Sequence, residues 1–143
     1  MAWVVLMLGA APGTVLADDV SMADDSFSVA FGSLQDVKAL HRMVMNRKFE
    51  GPDDVFFGSP QLAAAQNAIF EAVVRAEPQK ASQWLSWRDA RGHELVLDRV
   101  RQHLRDHREL FAAMEPDTRR SYVESILAPL AADPELLAGL TNG

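Results

Sequence analysis

Helical apolar spacing, interrupted at intervals by proline, constrains this chain more than any other feature. Four of its seven prolines directly follow Ser, Glu or Asp, at Ser59-Pro60, Glu77-Pro78, Glu115-Pro116 and Asp133-Pro134. Proline lacks the N–H that a helix interior requires but is well suited to a first turn, so each pair marks a helix boundary. Between these boundaries apolar residues recur every three or four positions, which places them on one helix face.

The first such segment opens at Ser33, an N-cap with Asp36 three residues on. It carries Leu34, Val37, Leu40, Val44 and Met45 and ends near Phe49, before Gly51-Pro52. Lys38, Arg42, Arg47 and Lys48 fall on its other side or toward its C-terminus, where cations oppose the dipole. Ser59-Pro60 opens a second helix with Leu62, Ala65, Ile69, Phe70, Val73 and Val74 on its stripe. Val96, Val100, Leu104, His107, Phe111 and Met114 step by three or four and predict one helix over 94–114. Tyr122, Val123, Ile126, Leu127 and Leu130 mark another after Pro116, and Asp133-Pro134-Glu135 caps a short last helix over 136–140. Residues 79–98 fit either a hairpin about Asp89–Gly92 or helix on both sides of a Gly92 break.

The N-terminal quarter reads differently. Phe27, Val29 and Phe31 alternate with polar or small residues, as one face of a half-buried strand does. Trp3 to Leu8 is a continuous apolar run bounded by Pro12-Gly13, which fits a buried first strand. The same stretch fits a secretory signal ending near Val15-Leu16-Ala17, although its n-region has no Lys or Arg. The expected architecture is mainly helical α+β: a two- or three-strand N-terminal element over 1–32, then four to six helices over 33–143, in one domain. The chain is 143 residues long, within the usual size of one domain. A cytoplasmic location follows if residues 1–17 stay, and a periplasmic or secreted one if they are removed.

Charge is unevenly placed. Before Lys38 the chain holds five of its 20 acids and none of its 14 Lys and Arg residues, leaving 15 acids against 14 bases thereafter. The net charge of −6 therefore resides chiefly in Asp18, Asp19, Asp24 and Asp25. Such a cluster can steer a basic partner; solvated loop acids flanking a strand are the plainer reading. D-D-V-S-M-A-D-D lacks the alternate ligands, central glycine and closing Glu of a calcium loop. Net acidity also argues against a general nucleic-acid binder.

Catalytic chemistry finds little purchase in the sequence. There is no cysteine, which excludes disulfides, thiolate metal sites and a cysteine nucleophile. Gly9-Ala-Ala-Pro-Gly13-Thr14 lacks the lysine of a phosphate loop, no serine sits in G-x-S-x-G, and Asp53-Asp54 are adjacent and so diverge on an extended chain. His103 and His107, at i and i+4, are weak metal-ligand candidates: a third ligand is not evident, nearby arginines oppose a dication, and His107 lies on the apolar stripe. Arg99, Arg101, Arg105, Arg108, Arg119 and Arg120 form the chain's basic concentration, which interleaved Asp98, Asp106 and Glu109 convert into a salt-bridged helix face. Trp84 and Trp87, with Arg88 beside them, fit either an aromatic contact patch or core closure under a loop.

The sequence therefore predicts a non-enzymatic protein-interaction module without a cofactor. Asp18, Asp19, Asp24, Asp25, Trp84, Trp87 and Arg88 are its expected contacts with a basic protein partner. A small acidic inhibitor or immunity-type protein has this profile. The alternatives are a subunit or adaptor of a larger assembly, homo-oligomers included, an exported helical protein, and, less favoured, a small metal-dependent hydrolase.

Overall fold

Three of the expected capping residues form their hydrogen bonds. In the computed structural model, which describes residues 27–52 and 56–143 together with the backbone of residues 4–8, Ser33 Oγ accepts the Asp36 N–H at 3.2 Å. Ser59 Oγ accepts the Leu62 N–H at 3.2 Å, and Asp133 Oδ1 accepts the Leu136 N–H at 2.8 Å. Each satisfies a donor that the first helical turn leaves open. The helices that start there are α1 (Leu34–Phe49), α2 (Pro60–Ala76) and, at the far end of the chain, α7 (Pro134–Asn142). Between them lie α3 (Ala81–Trp87), α4 (Glu94–Asp106), α5 (Arg108–Ala112) and α6 (Pro116–Leu127), with single 3-10 turns at Pro78–Lys80 and Ala90–Gly92.

Strands β1 (Val4–Leu8) and β2 (Phe27–Phe31) pair antiparallel, with Val4 opposite Phe31 and Leu8 opposite Phe27. This two-stranded sheet lies against α2, and β2 also touches α1. The fold is thus mainly helical with a short N-terminal β element. The described residues hold seven α-helices, more than the four to six expected, because α3 and α5 are short separate pieces.

Most of the core lies in the C-terminal half. Leu97, Val100 and Leu104 of α4, Phe111 of α5, Val123, Ile126 and Leu127 of α6, and Leu136, Leu137 and Leu140 of α7 pack around Phe57 and Ala90. A smaller cluster joins Val37 of α1 to Ile69, Ala72 and Val73 of α2.

Three expectations change. Phe27 is 73% exposed and Val29 44%, so among the described residues it is the Phe31 end of the apolar face of β2 that packs against the α1–α2 cluster. The helix over 94–114 breaks at His107, whose ring Nδ1 meets the His103 carbonyl oxygen at 3.0 Å and whose backbone closes α4. Residues 79–98 are helical and not a hairpin. Their one β feature among the described residues is a parallel bridge from Asp89 to Ala131, with Ala90 N–H donating to Ala131 O at 2.9 Å.

Candidate functional site

Helix α3 carries Trp84 and Trp87 at i and i+3, on the side facing α1 and α2. Trp87 stacks on Phe70 with ring centroids 5.7 Å apart, and Trp84 meets Trp87 edge-on at 6.1 Å. His41 of α1 packs edge-on to both, and burial among them lowers its pKa. The Trp84 indole N–H donates to Glu77 at 2.9 Å. Lys38 reaches the same carboxylate at 2.8 Å, and Lys80 at 3.4 Å. The Lys38 hydrogen bond, then that of Trp84, holds the Glu77 carboxyl down to about 2. Arg88 lies 5.0 Å over Phe70 and donates to Pro129 O at 2.9 Å and Asn67 Oδ1 at 3.1 Å. Trp84, Trp87 and Arg88 are therefore brought together as expected, but half-buried and engaged with the body of the protein.

Lys48 is the residue that sequence spacing misplaces. It sits in the last turn of α1, where a solvated cation is the ordinary outcome, yet it is 4% exposed. Its ammonium donates to Gln66 Oε1 at 3.0 Å, Ser125 O at 2.7 Å and Ala128 O at 2.8 Å. The two carbonyls close the C-terminal end of α6, so the charge meets the negative pole of another helix. Burial lowers the Lys48 pKa to about 7. A perturbed lysine is a common sign of a reactive site. Here, however, three acceptors take its three protons and the chain seals it from solvent.

His103 and His107 exchange the environments that spacing predicts. His103 is buried, with Nε2 2.8 Å from the Tyr122 hydroxyl and its ring 4.6 Å from Phe57, whereas His107 is exposed. Their rings stack at 4.4 Å, and the hydrogen bonds of His103 Nε2 and His107 Nδ1 go to different oxygens. The described residues contain no group of three His, Asp or Glu side chains placed to hold a metal ion.

Asp18, Asp19, Asp24 and Asp25 lie outside the described residues, as do residues 9–17 and Asp53-Asp54. Leu8 and Phe27, the residues on either side of 9–26, are cross-strand partners. Phe27 and Val29 are exposed at that pairing. No helix among the described residues is long and apolar enough to cross a membrane. Comparisons with protein families, with curated proteins and with solved structures find no match to this chain.

Glu77 and Lys48 escape sequence reasoning because each looks like an ordinary helix-end charge. For Glu77 the local sequence held part of the signal, since Lys80 and Trp84 follow three and seven positions on, but Lys38, thirty-nine positions earlier, reaches it only through tertiary packing.

Proposed function

We propose that this protein is a non-enzymatic interaction module that engages a basic protein partner at the strand end of the molecule. The pairing of Leu8 with Phe27 supports this most strongly. In the sequence, Asp18, Asp19, Asp24 and Asp25 fall between these two partners, and the Phe27 side chain is 73% exposed. Carboxylates supply long-range steering, and an exposed aromatic supplies the anchor that a short-range contact needs. The aromatic contact in this reading comes from Phe27, because Trp84 and Trp87 already pack against Phe70 and His41. Glu77 and Lys48 are internally satisfied, which suits a scaffold better than a reaction centre. A small acidic inhibitor that neutralises a basic protein is the corresponding class.

The test uses the partner captured in stoichiometric amount from the native host. Replacing Asp18, Asp19, Asp24 and Asp25 together by Asn slows association and flattens its salt dependence. Phe27→Ser speeds dissociation with folding unchanged, since the side chain is exposed. Association rates that ignore both salt and the four substitutions would rule out the steering role.

A further inference from the structure

The arginines of the second half do not form one salt-bridged face. Arg101 pairs with Glu94 and Asp98, and Arg91 with Asp133 and Glu135. Arg105, Arg108 and Arg119 pair with no carboxylate among the described residues: Arg105 donates to the neutral Gln102 Oε1 at 2.7 Å, and Arg119 lies 6.0 Å over the Phe111 ring. Arg119 Nε is buried without any hydrogen-bond partner. A polar atom in that state is rare and costly, and it is more conspicuous in a chain with acids to spare. All three arginines border a single cleft of about 940 Å³ between α4, α5, α6 and α7, which Arg91 and Arg101 also line, so that five guanidinium groups face it against the two carboxylates of Glu109 and Glu135. Leu104, Phe111, Leu136 and Leu140, all buried, form its apolar lining.

We propose that this cleft binds a small organic anion with an apolar body, the chemistry of a medium- or long-chain carboxylate. The guanidinium groups take the head, because their forked N–H donors match the two oxygens of a carboxylate. The Leu and Phe surface takes the tail, and covering it removes water and strengthens the ion pairing. The cleft volume lies in the range of small-molecule sites. A bare inorganic anion forgoes the apolar wall, an uncharged hydrocarbon leaves the arginines desolvated, and a cationic amphiphile is repelled. The site shares no residue with the strand end and stands independently of the partner proposed there.

Calorimetric titration of the full chain with dodecanoate, below its micelle-forming range, tests the proposal. Dodecyltrimethylammonium and inorganic phosphate serve as matched probes. Dodecanoate is expected to bind at one site, with phosphate weaker by roughly a hundredfold and the cation showing no saturable heat. Arg105→Gln with Arg108→Gln, both exposed and free of structural contacts to carboxylates, weakens dodecanoate by about tenfold or more. Arg119→Gln does the same, with an unchanged circular-dichroism melt showing that the fold is intact. Equal affinity for dodecanoate and the cationic amphiphile would overturn the proposal, as would unchanged affinity in the double variant. A peptide of residues 18–25 that displaced dodecanoate at equal concentration would also overturn it, by assigning the cleft to acidic polypeptide.

Discussion

The Lys48 ammonium stands 2.8 Å from the carbonyl oxygen of Ala128, eighty positions along the chain. Together with Ser125 O and Gln66 Oε1, this contact ties the end of α1 to α2 and to the end of α6. A buried cation with uncharged acceptors carries a desolvation cost that depends on its protonation, and this gives the pair a measurable signature.

With a folded pKa of about 7 against an ordinary value of 10.5, Lys48 binds its proton more weakly in the folded chain. The unfolded chain therefore holds more protons between those values, and this term raises stability as pH rises from about 7 toward 10.5. Lys48→Met removes that slope. It also leaves buried oxygens unpaired, a loss of about 1–3 kcal/mol, with the deficit larger at pH 9 than at pH 6.5. Urea midpoints of the two proteins across this range check both the sign and the size.

Glu77 works in the opposite pH range. Its folded pKa of about 2 lies below the ordinary 4.5, so its contribution is complete above 4.5 and is lost as pH falls toward 2. Glu77→Gln should be weaker than the parent at pH 6, with the difference shrinking by pH 2.5. Acid titrations followed by circular dichroism read the convergence; parallel curves would remove Glu77 from the acid response.

Gly58 stands where a β-carbon would lie 2.5 Å from Tyr122 Cε2, closer than atoms of those types pack. Gly58→Ala must move the Tyr122 ring, and with it the hydroxyl 2.8 Å from His103 Nε2. Overpacking of this kind costs about 1–3 kcal/mol. Tyr122→Phe, which keeps the ring and deletes the hydroxyl, separates the steric part from the hydrogen bond when the thermal midpoints are compared.

Ile126 is fully buried between the helices of the larger core, whereas Leu95 is 86% exposed on α4. Ile126→Ala should destabilise by about 2–5 kcal/mol, and Leu95→Ala by no more than about 0.5 kcal/mol. Chemical denaturation of the two variants side by side tests the placement of the core.

Helix boundaries were legible where a short-range device sets them. Ser33, Ser59 and Asp133 each act within three residues of their own position, so the local sequence contains the whole cause. The break at His107 was not legible, because the apolar spacing runs straight through it while the His107 ring competes for the His103 carbonyl. The environments of His103 and His107 were misjudged for the same reason: a stripe read at three and four residues continues past a point where the helix axis stops. Trp84, Trp87 and Arg88 were identifiable as a group from their spacing, but not as packed against Phe70 and His41, which come from other helices.

Composition and spacing by themselves determined the helical body, its proline-marked boundaries, the short strand element and the unbalanced charge of the first 37 residues. Those features depend on backbone sterics, local capping and counting, all of which act within a few residues. Tertiary structure alone decided that Lys48 is sealed against the end of α6, that Glu77 gathers two lysines and a tryptophan, and that three arginines line an apolar cleft. Each joins residues from different elements, and the energy of a charge depends on the solvent and partners it meets there.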